Sequence, residues 1–426
     1  MPLAASAPRL VSRTVKVDDV DDLVSLLPPG ERPVTWIRRG DGLVGWGVAA
    51  TLRTSGPDRF ADAGRWFDDV AEAARVRDDV RMPGSGLVAF GSFAFDDSAS
   101  ARPSGAAVSM LTIPRVVVGK HAGRSFVTTT SASPELPPPY RVRRYPAPEP
   151  PEAVVVTDGA ITGDRWMGKV AEAVARIATS ADLGKVVLSR DLLATATGPV
   201  DLRWPIGRLA TGYHDCWTFC VDGLVGATPE LLVRRERGLV TSRVLAGTIR
   251  RTGDDEHDLA LAASLARSSK DLEEHEFAAA SLAEALGPFC TAMNVPETPF
   301  VLHLPNLMHL ATEVTGVLAA DPPSSLEIAG ALHPTAAVCG TPTEAARRLI
   351  AELEPIPRDR YAGPVGWVGA DGDGEWGIAL RCAQQLADLS VLRLHVGCGI
   401  VAGSDPQAEL AESIVKAQPI IAALQS

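Results

Sequence analysis

The 426-residue chain is 46% hydrophobic with a formal net charge of -11, which allows a large buried core and enough length for two or three domains. Its acidity, and the lack of basic clusters with interleaved aromatics, exclude non-specific binding to nucleic acid or to an anionic membrane surface. The six cysteines form neither a Cys-x-x-Cys pair nor a zinc-ligand spacing, and the start of the chain shows no charged leader before an apolar stretch. No window reaches the ~18 apolar residues of a membrane span, so a reducing cytoplasm is the expected location.

In chain order, residues 58–76 have the aromatic and aliphatic spacing of a helix, and residues 86–93 and 113–118 read as strands. Residues 134–151 hold eight prolines in eighteen positions and form a connection, since proline can neither pair in a sheet nor continue a helix. This divides the sequence into an N-terminal region (1–133), the connection (134–151) and a C-terminal region (152–426). Asp164 is the expected N-cap of a helix on which Trp166, Val170, Val174 and Ile177 recur at helical intervals. A strand over residues 185–192 follows, then two strand pairs between 216 and 250. The alanine-rich, proline-free stretch 255–286 predicts one long helix. Beyond it, strands at 365–369, 375–381 and 391–396 alternate with turns. A last helix starts at Asp405-Pro406, where an N-cap side chain precedes a fixed proline φ. Pattern alone gives an α+β or mixed α/β protein.

Charged residues inside apolar runs carry the chemistry. Lys185 lies early in Gly184-Lys-Val-Val-Leu-Ser-Arg190, where it either snorkels to water or has work to do. Glu230 stands in Gly226-Ala-Thr-Pro-Glu-Leu-Leu232. Further runs are Leu245-Ala-Gly-Thr-Ile-Arg250, Ser269-Lys-Asp-Leu-Glu-Glu-His-Glu276 and His333-Pro-Thr-Ala-Ala-Val-Cys-Gly-Thr-Pro342. The last extends from Gly374-Glu-Trp through Arg381, Gly397-Cys-Gly-Ile-Val401 and Glu409-Leu-Ala-Glu412 to Lys416. In this order and at these distances the set resembles the chorismate-utilising enzymes over roughly residues 154–424, and most closely the isochorismate synthases of menaquinone and siderophore pathways.

The resemblance implies two large, mostly antiparallel sheets packed face to face with helices outside, the N-terminal region adding strands to the same sandwich. It also implies a monomer acting on chorismate with Mg2+. Lys185 matches the base and must be neutral at rest, which burial away from carboxylates favours. Glu230 matches the acid and must be protonated, which desolvation favours. Glu274 and Glu412 match metal ligands, with Asp271 and Glu409 beside them as direct or water-mediated ones. Each pair is spaced by three, so its members share one side of a helix, and oxygen donors suit a hard cation. Arg381 ends a predicted strand and matches the anchor of a substrate carboxylate. Lys416, one turn after Glu412, could be an ion-pair partner or a second anion contact, and matching the family favours the second. Gly247, Thr248 and Gly397 match substrate-contacting positions in tight segments, and His309 and Tyr361 are further lining candidates.

Family members that add ammonia carry glutamine in place of Lys185, which separates this chain from them. Salicylate synthases tend to have threonine where Ala337 precedes Val338; Ala337 and Val338 fit the isochorismate-synthase pattern, leaving salicylate synthesis as the alternative. A catalytically silent chorismate binder is a third possibility, with nothing in these residues to prefer it. The glycines of 397–402 also fit a short dinucleotide fingerprint. Only twenty-four residues follow Ala402, however, with no second strand and no acid for a ribose.

Overall fold

The computed structural model describes residues 8–97, 108–180 and 182–425; within the helix Ser269–Leu286 the side chains of Lys270, Asp271 and Glu274 lie outside the described residues. Two mostly antiparallel sheets, of 13 and 10 strands, form the body. Their inner faces share one core: Trp36, Leu43, Trp217 and Phe219 from the larger sheet pack with Phe90, Leu231, Val233 and Trp376 from the smaller. The opposite face of the larger sheet buries Ile37, Val44, Val225 and Leu394 beneath the helices Arg203–Gly212 and Pro406–Leu424. Trp36 and Ile37 point to different layers because successive strand residues face opposite sides.

The N-terminal region supplies strands to both sheets. Val34–Arg38 pairs with Trp217–Val221 in the larger, and Val88–Ser92 pairs with Pro364–Gly369 in the smaller. The proline-rich connection takes no strand or helix. It is pinned along the outside where the Tyr145 N–H donates to the Ser25 carbonyl at 2.8 Å and Tyr140 packs edge-on against Trp46.

Several local expectations are corrected. The strand expected at 113–118 is two, Ser109–Ile113 in the smaller sheet and Val116–His121 in the larger; Pro114, without an N–H, stands where the chain changes sheet. The helix at 163 is capped by Thr162, whose hydroxyl accepts the Arg165 N–H at 3.4 Å. Asp164 sits instead in the first turn, where its charge meets the positive end of the helix. The long helix is two, Asp255–Leu265 and Ser269–Leu286. Tight i to i+3 bonds from Arg267 and Ser268 close the first, in a stretch where Ser264, Ser268 and Ser269 compete with regular helix. The strand expected to end at Arg381 stops at Ile378.

Candidate active site

The site lies at a seam where the chain passes between the sheets twice, side by side. Leu224–Thr228 belongs to the larger sheet and Leu231–Glu236 to the smaller, so Pro229 and Glu230 form one crossing. Gly374–Ile378 and Cys382–Gln385 are related in the same way, so Arg381 sits on the other. The Glu230 carbonyl accepts the Ile378 N–H and the Arg381 carbonyl accepts the Ala227 N–H, both at 3.2 Å. Arg381 holds φ 49°, a sparsely used region for a side-chain-bearing residue and a common companion of functional sites.

Around this seam is a cavity of about 300 Å³. Lys185, Glu230, Gly247, Thr248, His309, Ala337, Val338, Tyr361, Arg381, Gly397, Glu409, Glu412 and Lys416 all line it. Asp271 and Glu274 also belong to the candidate set, but their side chains lie outside the described residues. Lys185 opens the strand Lys185–Thr195 and is half-buried. Its neighbour strand Val391–Ile400 sets Gly397 opposite Ser189 and Gly399 opposite Val187. Gly247 has φ 72° and occupies a register shift against Leu307–Leu318, which brings Thr248 opposite His309.

The electrostatics separate the acidic groups. Burial pushes the Glu230 carboxyl up to about 7, although the charges of Arg381, Lys185 and Lys416 pull it down. Near neutral pH a large share therefore carries a proton. Burial, helped by the charges of Arg381 and Lys416, pushes His309 down to about 3. That imidazole is neutral, with Nδ1 3.0 Å from Thr248 Oγ1 and Nε2 buried without a partner among the described residues. Burial pushes the Tyr361 phenol up, so it stays neutral; its ring stacks on His395 at 5.2 Å. Among the described residues the Arg381 guanidinium has no hydrogen-bond or ion-pair partner. An uncommitted cation on a cavity wall is suited to bidentate capture of a carboxylate.

The ammonium of Lys416 pairs with Glu412 Oε1 at 2.5 Å and donates to the Gly397 carbonyl at 3.2 Å. Burial works against its charge, but the contact with the Glu412 carboxylate leaves its pKa raised. Burial also opposes the charge on Glu412, and Lys416 overrides it, holding that carboxyl below its ordinary value. Ligand atoms of Cys398, Glu409 and Glu412 lie within 4.8 Å of one another. Burial pushes the Cys398 thiol up and its Sγ donates to the Glu409 carbonyl at 3.4 Å, so it is a neutral S–H and a poor metal ligand. Two carboxylates on one side of a helix remain, an oxygen donor set that fits a hard divalent cation such as Mg2+ and not a thiophilic one.

Two neighbours were not legible as site residues. A Cβ at Gly399 would come within 2.8 Å of Lys185 Cε, so this glycine makes room for the lysine stem; the Gly-Cys-Gly alternation was its only sequence signal. Arg358 also lines the cavity, and nothing in the sequence distinguished it from a surface arginine.

The chain belongs to the chorismate binding enzyme family, whose pattern matches residues 3–425. It is 41% identical over 266 residues to the isochorismate synthase DhbC of Bacillus subtilis, covering 60% of this chain and 66% of that one. It is 39% identical over 252 residues to the isochorismate synthase EntC of Escherichia coli, covering 58% and 63%. The matched segments thus span just under two thirds of these relatives. Among solved structures, the menaquinone-specific isochorismate synthase MenF of E. coli superimposes with a TM-score of 0.78 at 25% identity, covering 99% of this chain and 96% of that one.

Proposed function

We propose that this protein is an isochorismate synthase, converting chorismate to isochorismate by adding water at carbon 2 while the carbon 4 hydroxyl departs. The observation that carries the proposal is the pairing of Lys185 with a Glu230 carboxyl held near 7 in one cavity. The reaction needs one group to take a proton and another to give one at the same time, and an amine and a largely protonated carboxyl on the walls of one cavity meet that need. Lys185 takes a proton from the attacking water as its oxygen bonds to carbon 2. The ring double bonds shift, and Glu230 protonates the carbon 4 hydroxyl, which leaves as water. One proton then returns from Lys185 to Glu230 through solvent, and the site is reset with no net proton change.

Arg381 anchors a substrate carboxylate, and the backbone at Gly247 and Gly397 lets the ligand approach closely. The buried His309 Nε2 is available to a substrate oxygen. Glu409 and Glu412, with Glu274 and Asp271 by family resemblance, would hold Mg2+. The ion would supply positive charge for a second carboxylate in a protein whose net charge repels the substrate. Ala337 and Val338 wall the ring side of the cavity. Incubating the purified protein with chorismate and Mg2+ and separating the products should yield isochorismate with little salicylate. Salicylate as the main product would replace this reading with pyruvate elimination, and unchanged chorismate would defeat both.

A further inference from the structure

The strand Lys185–Thr195 has Val391–Ile400 along one edge, but its other edge is covered only in part. Gly340–Thr341 pairs with Lys185 and Val186, and Val155–Asp158 pairs with residues 192–195. Between them, among the described residues, no strand lies beside the buried backbone of Val187 and Ser189, and unpaired buried backbone groups are costly. Trp166 Nε1 donates to the Ser189 carbonyl at 3.1 Å, and two further side chains fill the rest of the gap. Arg358 Nη2 donates to the Val187 carbonyl at 2.6 Å, and Glu354 Oε1 accepts the Ser189 N–H at 2.8 Å. The two residues also grip each other, with Arg358 Nε 2.9 Å from Glu354 Oε2 and Nη2 2.5 Å from Oε1. From the same guanidinium, Nη1 donates to the Val338 carbonyl at 2.8 Å. Both side chains are almost wholly buried.

One guanidinium thus joins the strand that begins with Lys185 to the segment that carries Ala337 and Val338. That segment also meets the strand directly, through the Val187 N–H to the Cys339 carbonyl at 2.8 Å. We infer that the Glu354–Arg358 pair is a positioning device for the reaction, fixing the base-bearing strand against the wall that faces the substrate ring. This rests on the reaction proposed above. The planar fork is essential to it. An ammonium carries its donors around a single point and cannot span two carbonyls and a carboxylate together. Small displacements of a reacting group cost rate out of proportion to their size.

A merely structural role must be told apart, and Arg203 provides the comparison. It is similarly buried and clasps Asp201 together with the carbonyls of Leu27 and Pro146, but it does not line the cavity. Arg358→Lys and Arg203→Lys should both lower Tm. Assayed where each is folded, Arg358→Lys should lose about tenfold or more in kcat, with KM for chorismate within about threefold, while Arg203→Lys keeps its kcat. Glu354→Gln keeps the shape and removes the charge. It should reproduce the kcat loss, and it carries the test if Arg358→Lys does not fold. Wild-type kcat in folded Arg358→Lys or Glu354→Gln, or an equal loss in Arg203→Lys, would overturn the inference. Failure of the wild-type protein to form isochorismate would instead remove the reaction itself.

Discussion

Glu230 and Glu412 line one cavity, yet their carboxyls are driven in opposite directions. Glu230 is buried at a crossing between the sheets, with cations close enough to be felt but none bonded to it among the described residues, and desolvation wins. Glu412 is also penalised by burial, but Lys416 sits one helical turn away in contact with it, and the pairing wins. The residue type is the same at both ends. What differs is whether a cation completes a hydrogen bond, and that difference leaves one carboxyl largely protonated and the other a carboxylate; the proposed reaction uses the first as a proton donor and the second as a holder of positive charge.

The donor end gives the largest expected effect. Glu230→Gln cannot release a proton to the departing hydroxyl, and Lys185→Ala cannot accept one from water. Each should lower kcat by about 10²–10⁴-fold, the usual contribution of a positioned acid or base. Chorismate should still bind both variants, which calorimetry can verify. Wild-type turnover in either folded variant would remove that residue from the proton path and collapse the comparison.

At the other end, Mg2+ and chorismate should each tighten the binding of the other, because coupling between two ligands is reciprocal. Glu412→Ala should abolish most of that coupling, a loss of about 5–150-fold in the affinity change. Metal titrations with and without chorismate test it, and equal coupling in wild type and variant would take the metal away from this end. A smaller effect is expected at the wall between the ends. Ala337→Thr adds a methyl and a hydroxyl beside the ring and should reduce isochorismate formation by about tenfold, with at most traces of pyruvate. Kinetics indistinguishable from wild type would show that residue 337 does not touch the substrate.

The two ends were not equally legible in the sequence. Lys185 and Glu230 stood out as charges opening apolar strand runs, but a lysine snorkelling to water accounts for Lys185 taken alone, and the family resemblance is what assigned both their roles. For Glu409 and Glu412 the spacing by three says only that they share one side of a helix, and the family resemblance is what singled them out. The sheet-crossing that presents Glu230 and Arg381 was invisible. A strand that leaves one sheet and enters another keeps the same alternation throughout, and Pro114 and Pro229 marked the crossings without naming them. Glu354 and Arg358 bracket Pro355-Ile-Pro357, which marks a loop and gives no reason to expect either charge to be buried. Their burial comes from a gap in strand pairing, which no local pattern encodes. The break at Arg267 was hidden by a run of good helix formers on both sides.

The last prediction is the cost of keeping Glu230 protonated. Its carboxyl moves from an ordinary 4.5 in the unfolded chain to about 7 in the folded one. Between those values the folded protein holds a proton that the unfolded chain has released, so stability falls as pH rises through this window and the loss is complete above about 7. Glutamine at this position does not titrate. Relative to wild type, Glu230→Gln should therefore gain about 1–3 kcal/mol in unfolding free energy between pH 5 and pH 8, measured by urea denaturation without ligand. The same ionisation should make wild-type kcat/KM, which reports the free enzyme, fall as pH rises through about 7, approaching tenfold per unit. Removing Lys416, whose charge holds the Glu230 value down, should shift that limb to higher pH in whatever activity remains. A stability difference that is the same at both pH values would mean that the carboxyl is not held protonated by its burial, and the contrast with Glu412 would then rest on position alone.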